Sequence, residues 1–271
     1  MIDFDDAITW ARGDDDTFTG AFPDDWTQVR TIFGGLIAGV VLRAIREVVG
    51  DARPPVTVDV AFLAPVEPGP ASVAVSILRS GRHVTQAEAR IVQAGAERAR
   101  ISAVLGASRP SSLRVPAAEA APSRAVAAAL DFNALIARSG AASAFVPRFA
   151  GHFDLRWGEG GLPFSGGAVA VTGGYVRHRG RASGVEALVA LLDSWPSPTL
   201  VLASGPVPAS SVRWVTHVVE DMSLGPDDWC WMRSETVHAG GGYTTMIARG
   251  GGPDGRLLVW GEQLVAIFDG G

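Results

Sequence analysis

Several positions of this chain place polar groups or bare backbone donors inside otherwise apolar runs. Gln263 sits among Leu258, Val259, Leu264, Val265 and Ile267, where a buried amide must find hydrogen-bond partners. Asp193 closes the apolar run Gly184–Leu192. A carboxylate at the C-terminal end of a helix opposes the macrodipole, so its placement points to a purpose other than helix stability. Ser211 opens a strand-like stretch, with Ala209 and Ser210 just before it. Gly34-Gly35 opens the most apolar helical run of the chain, where orphan backbone N–H groups meet the positive end of the dipole. A carboxylate of this kind can act as a base, and a hydroxyl and an amide can hold a water. Glycine N–H groups can face developing negative charge. Each residue also has a plainer reading: a polar helix end, a strand-entry hydroxyl, an edge amide facing solvent, and glycines that let a helix approach a sheet.

Other chemistries find no support. There is no Gly-x-x-x-x-Gly-Lys-Ser/Thr loop and no strand–Gly-x-Gly-x-x-Gly–helix unit, which argues against those nucleotide sites. No Gly-x-Ser-x-Gly elbow occurs, which removes that route to ester cleavage. The five histidines (His83, His152, His178, His217 and His238) are dispersed, without paired ligand spacing. No metal and no cofactor is expected. Cys230 is the single cysteine, so no intrachain disulfide can form, and between Trp229 and Trp231 it reads as a small buried hydrophobe. A formal charge of −5 without a basic face argues against nucleic acid. The acidic start, Met1-Ile2-Asp3-Phe4-Asp5-Asp6, lacks the layout of a signal peptide. Arg43 and Arg46 interrupt the most apolar helix well short of a bilayer span. The expectation is a soluble, cytoplasmic protein without a membrane partner.

The elements that must position these residues are written twice. The first helix, from Gly34 to about Glu47, precedes alternating strands at Val56–Leu63, Ala71–Leu78, Thr85–Gln93 and Arg98–Leu105. A second helix, Gly184–Leu192 ending in Asp193, precedes strands at Ser211–Val219, Trp229–Val237, Tyr243–Arg249 and Leu257–Phe268. Period-two alternation marks the strands as half-buried, and Pro54-Pro55 enforces an extended exit from the first helix. Two further strands are predicted at Gly151–Trp157 and Ala168–Arg177, a short helix at Asp5–Arg12 and a strand at Thr17–Phe22. The Ser-, Pro- and Ala-rich stretch from Ala107 to about Arg124 reads as a linker. The division is therefore an N-terminal module over 1–108, a linker over 109–130 and a C-terminal module over 131–271, with 132–148 ambiguous.

Certain segments carry a family resemblance. They are Phe33-Gly34-Gly35 opening a helix, Phe62-Leu63-Ala64-Pro65 closing a strand, and Leu78-Arg79-Ser80-Gly81-Arg82 before the Gln93-Ala94-Gly95 turn. In the second half they are His152-Phe153-Asp154-Leu155-Arg156-Trp157, Gly174-Tyr175-Val176-Arg177, Leu191-Leu192-Asp193, and Asp254-Gly255-Arg256-Leu257-Leu258 leading to Gln263. Their order and spacing, from about Thr17 to Phe268, resemble acyl-CoA thioesterase II, the TesB-like double-hotdog thioesterases.

The resemblance implies an α+β fold of two tandem hotdog modules, each a long central helix wrapped by an antiparallel sheet, with the two sheets continuous. It implies hydrolysis of an acyl-CoA thioester to free acid and coenzyme A, a role in lipid metabolism. The family's water-activating Asp, hydroxyl and Gln fall on Asp193, Ser211 and Gln263, and Gly34 and Gly35 become the oxyanion and substrate donors. Val212, one position beyond Ser211, would supply no hydroxyl, and the loop Asp221–Asp228 leaves the strand register open. Ala103 stands where Gln263 stands in the second copy, so one site per chain is expected. The rival readings are a hotdog enoyl-CoA hydratase and a non-catalytic acyl-CoA or lipid-binding protein. Exposed sheet faces and Trp195, Trp214, Trp229, Trp231 and Trp260 lead to the expectation of a homo-oligomer, a dimer or tetramer.

Overall fold

The computed structural model describes residues 1–113, 115, 121–122, 125–132, 134–135, 146–220, 224–225 and 227–268. Parts of the predicted linker, most of the ambiguous stretch and part of the loop Asp221–Asp228 lie outside the described residues.

The chain begins with a one-turn helix α1 (Phe4–Ala7) and strands β1 (Ala11–Arg12) and β2 (Thr17–Phe22). A small hairpin, β3 (Thr27–Gln28) and β4 (Thr31–Ile32), delivers the long helix α2 (Gly34–Val49). Then come β5 (Pro55–Phe62), β6 (Gly69–Ser80), β7 (Val84–Gln93) and β8 (Ala96–Gly106). The second half contains β9 (Leu130–Asp131), β10 (Phe153–Glu159), β11 (Val171–His178) and helix α3 (Gly184–Asp193). It ends with β12 (Ala209–Val218), β13 (Cys230–Gly240), β14 (Tyr243–Gly251) and β15 (Leu257–Ile267).

Among the described residues, thirteen strands form one antiparallel sheet in the order β1-β2-β6-β7-β8-β5-β12-β15-β14-β13-β11-β10-β9. The order reads alike in both directions from the β5–β12 seam: β8, β7, β6, β2 on one side, β15, β14, β13, β11 on the other. The duplicated order of elements is thus a duplicated architecture, the double hotdog with a continuous sheet. At the seam Trp214 pairs with Val60 and Thr216 with Val58, all four turned into the core. On the outer face Arg213 holds Asp59 and Thr57 hydrogen-bonds His217.

Helix α2 is buried at Gly35–Leu42, Ala44 and Ile45, because sheet and second helix enclose it on nearly every side. That explains why the stretch 34–42 is apolar all round, while Arg43, Arg46 and Glu47 give the last turns a polar side. Helix α3 is buried from Val185 to Leu192. The two helices pack antiparallel: the start of α2 meets the end of α3, and Arg46 near the end of α2 meets Glu186 in the first turn of α3. Arg46 donates to both carboxylate oxygens of Glu186, at 2.8 and 3.0 Å.

The helix expected over Asp5–Arg12 stops at Ala7, and Ala11 and Arg12 pair instead with Thr19 and Phe18 of β2. Packing overrides local propensity here: the Trp10 indole lies against Gly20 and meets Phe22 edge-on at 4.9 Å. Trp195, Trp214 and Trp231 are buried within this chain, which leaves Trp229 and Trp260 as the half-exposed members of the five. Cys230 is fully buried, and burial pushes its thiol up to about 12, the inert core residue its sequence context suggests.

Glu186 is 1% exposed and its charge is balanced across the module boundary by Arg46. Replacing Glu186 by Ala is expected to cost about 1–3 kcal/mol in chemical denaturation, since Arg46 loses its buried partner and keeps the exposed carboxylate of Asp51. The double replacement Arg46→Met with Glu186→Leu should recover much of that loss, which a double-mutant cycle measures.

Candidate active site

Helix α2 starts without a cap of its own. Its N-cap residue is Phe33, which makes no side-chain capping hydrogen bond. An uncapped start leaves orphan N–H groups and the positive dipole end unanswered. The answer comes from the other module. Asp193, the last residue of α3, lies against Gly34, and the backbone N–H of Gly35 donates to its carboxylate. The placement that opposes the dipole of α3 is therefore favourable toward the dipole of α2.

Both glycines are required by this approach. A Cβ on Gly34 would stand 2.6 Å from Asp193 Oδ2 and 3.2 Å from Cζ of Phe62. A Cβ on Gly35 would stand 3.0 Å from Ala190 Cα and would strike the Phe33 ring at 2.4 Å. Phe33 is itself held by Phe149, stacked at 4.3 Å, and by Trp26 at 6.2 Å. Trp26 in turn stacks on His152 at 3.8 Å. The segment entering α2 is thus clamped by aromatic residues of the second module.

The strand β12 would present the wrong residue if its alternation ran unbroken. Trp214 and Thr216 face the core, so period two would turn Val212 inward and Ser211 outward. The register with β15 shifts between Ser211 and Arg213, where Ser211 pairs with Val265 and Arg213 with Leu264. This bulge inserts Val212 as the extra residue and reverses the faces. Val212 is left 37% exposed, while Ser211 turns toward Gln263 of β15.

The side chains of Asp193, Ser211 and Gln263 converge. Gln263 Nε2 donates to Asp193 Oδ1 at 3.1 Å and to Ser211 Oγ at 2.8 Å. Both amide protons are spent on the pair, and the amide orientation follows from the carboxylate, which only accepts. Ser211 Oγ accepts, so its own proton remains to be donated. Burial pushes the Asp193 carboxyl up to about 7, against the lowering effects of the Gln263 amide and the Gly35 N–H. A carboxylate poised near neutrality is suited to general-base work.

Phe62, whose ring borders Gly34, is a site neighbour that its place at the end of an alternating strand does not single out. The bulge at Val212 had no local signal beyond the Ser210-Ser211 pair. Among the described residues no group of three or more His, Cys, Asp or Glu is placed to hold a metal ion.

Family models for the acyl-CoA thioesterase N-terminal domain and C-terminal domain match residues 22–106 and 120–267. The chain belongs to the acyl-CoA thioesterase family. The two family domains meet at the β5–β12 seam, and the polar cluster joins α2 of the first domain to α3, β12 and β15 of the second. No curated protein sequence matches this chain.

Among solved structures, a hot dog fold protein of unknown function from Alicyclobacillus acidocaldarius superposes with a TM-score of 0.83 at 21% identity, covering 99% of this chain and 98% of the other. An acyl-CoA thioesterase II from Mycobacterium marinum gives 0.75 at 16%, covering 97% of each chain. The dehydratase domain of PpsC from Mycobacterium tuberculosis gives 0.58 at 16%, covering 93% of each. At these identities the likeness speaks for the fold, which thioesterase and dehydratase share.

In this thioesterase-family chain the raised Asp193 carboxyl opposes stability at neutral pH. The unfolded carboxyl ionises near 3.8 and the folded one near about 7, so stability falls as pH rises between those values. Asp193→Asn should therefore be more stable than the parent at pH 8, on the order of 2–4 kcal/mol, with the difference vanishing near pH 4 in urea titrations. Gly34→Ala should displace the carboxylate it would touch and remove the pH-dependent part of this difference.

Proposed function

We propose that this chain hydrolyses acyl-CoA thioesters to free acid and coenzyme A at the Asp193–Ser211–Gln263 cluster. The observation that carries the reading is the single amide of Gln263 bridging Asp193 and Ser211 beside the N-terminus of α2. A water seated by the Asp193 carboxylate and Ser211 Oγ loses its proton to Asp193 as it attacks the thioester carbon. Gln263 holds both partners in place. The tetrahedral oxyanion then collapses and expels the coenzyme A thiolate, which takes up a proton.

The oxyanion needs donors. Gly35 N–H is engaged by Asp193, so Gly34 N–H, the first orphan of α2, is the donor left for the substrate carbonyl. Gly35 serves the base instead. The absence of a side chain at Gly34 lets the substrate reach the backbone.

The hydratase reading needs a His beside the acid at a helix start. Neither α2 nor α3 contains one. His178, which touches α3 through the Ala187 carbonyl at 3.0 Å, is held neutral by burial, its pKa lowered to about 4. A non-catalytic lipid-binding role would favour an Asp193 turned to solvent, whereas its carboxyl is turned to Gln263 and Gly35. The same reading carries a cytoplasmic setting, a role in lipid metabolism and a homo-oligomer, dimer or tetramer. Half-exposed Trp229 and Trp260 are the features that support an interface. No described helix is long and apolar enough to cross a membrane.

Coenzyme A release from short, medium, long and aromatic acyl-CoA esters tests the proposal. Asp193→Asn is expected to lower kcat about 10³-fold, and Ser211→Ala and Gln263→Ala about 10–100-fold. The kcat/KM profile should rise with pH through a midpoint near 7, since only the ionised carboxylate accepts the proton. Full activity in Asp193→Asn, or a profile flat from pH 6 to 8, would sink the assignment.

A further inference from the structure

Two arginines on segments that adjoin Phe62 and the start of α2 have no ion pair among the described residues, unlike many of their neighbours. Arg98 lies in β8, and its carbonyl accepts the N–H groups of Leu63 and Ala64 at 2.9 and 3.0 Å. It therefore flanks the exit of β5 immediately after Phe62, the residue whose ring borders Gly34. Arg98 is half-buried, and its Nε is shielded from solvent without a hydrogen-bond partner. Nearby, Arg100 holds Glu97 and Arg213 holds Asp59; Arg98 has no ion pair among the described residues. A shielded guanidinium N–H without an acceptor is costly, and a ligand that supplies one relieves it.

Arg30 is the second. It sits at the tip of the β3–β4 hairpin, exposed and also without an ion pair among the described residues. Beside it Val29 is 80% exposed and adopts φ +68, a strained conformation for a β-branched residue. The hairpin is tied to the segment after β5 by Ile32 N–H donating to Val66 O at 2.8 Å. That segment, 63–68, is stiffened by Gln93, which accepts from Glu67 N–H at 3.0 Å and donates to Glu67 O at 2.8 Å. The segment after Phe62 is thus tied to the hairpin before α2 and to Gln93 of β7, with Arg98 beside one part of it and Arg30 on the hairpin, neither ion-paired among the described residues. Exposed Leu63 and Pro65 lie on it, and Glu67 is its one carboxylate.

We propose that Arg98 and Arg30 bind the phosphates of coenzyme A, with the pantetheine arm laid along 63–68. The inference rests on the thioesterase reading and extends it to how the substrate is recognised. An acyl-CoA ester is apolar at one end, thioester-linked at the centre and multiply anionic at the other. A guanidinium fork matches a phosphate by paired N–H donors. In a chain of net charge −5, a local pair of free cations is also what draws an anionic substrate to the correct face.

The test compares hydrolysis of an acyl-CoA with that of the same acyl group on pantetheine, which lacks the phosphates. The ratio of kcat/KM for the two substrates is the readout. Arg98→Gln should lower that ratio about tenfold and Arg30→Ala about threefold, with Arg98→Lys intermediate. Arg82→Gln, on a distant hairpin turn, should leave both rates unchanged. Thermal melting of each variant identifies a folding defect, and Arg30→Ala and Arg98→Lys keep the test informative if Arg98→Gln does not fold. An equal loss on both substrates, or none on either, overturns the phosphate assignment while leaving the thioesterase reading intact. If the parent hydrolyses neither substrate, that reading fails by itself, and titration with coenzyme A decides the phosphate site. Weakened binding in the arginine variants supports it, and unchanged or undetectable parent binding overturns it.

Discussion

The carboxylate of Asp193 at the N-terminus of α2 is the contact on which the site depends. Taken alone, each side is a defect: α2 begins without a capping side chain, and α3 ends in an acid that its own dipole disfavours. Antiparallel packing of the two helices makes each defect the remedy for the other. The packing is possible only because residues 34 and 35 lack a Cβ, one to clear the carboxylate and the other to clear Ala190. The cost is desolvation of the acid, visible in its carboxyl being pushed up to about 7. Stability is given up at the residue proposed as the base, an exchange common at functional sites.

The duplication is symmetric in architecture and asymmetric in chemistry. The strands radiate in matching order from the β5–β12 seam, yet only one end of the helix pair carries the polar cluster. At the opposite end, Arg46 and Glu186 close the gap with an ion pair. On β8, Ala103 is buried between Val58 and Ala87 and offers no amide to orient a second acid. One copy supplies the helix start and its glycines, and the other supplies the acid, hydroxyl and amide. Neither module alone contains the arrangement.

Much of the strand content was legible because period-two alternation is a local property. The predicted Val56–Leu63 and the observed Pro55–Phe62 differ by one residue at each end, as do the predicted Leu257–Phe268 and the observed Leu257–Ile267 at their C-terminal end. The helix predicted over Asp5–Arg12 was not legible in the same way. Its second half is recruited into a strand by contacts of Trp10 with Gly20 and Phe22, residues of a different element. The tryptophans show the same limit: composition counts them, but only packing tells core Trp195, Trp214 and Trp231 from half-exposed Trp229 and Trp260.

The sequence by itself determined the element order, the duplication, and the fact that Asp193 and Gln263 are out of keeping with their surroundings, whereas Ser211, beside Ser210, was singled out only by the family resemblance. These follow from periodicity and from the chemical misfit of single residues, both readable one position at a time. Only the tertiary structure decided that Gly35 serves the acid, that Val212 is bulged aside so that Ser211 faces Gln263, and that Arg98 has no ion pair among the described residues. Those outcomes depend on helix–helix distance, on the register between two strands and on which charges find each other across the fold. Distances between residues far apart in the chain arise from the packing of all the elements together, so no local pattern can encode them.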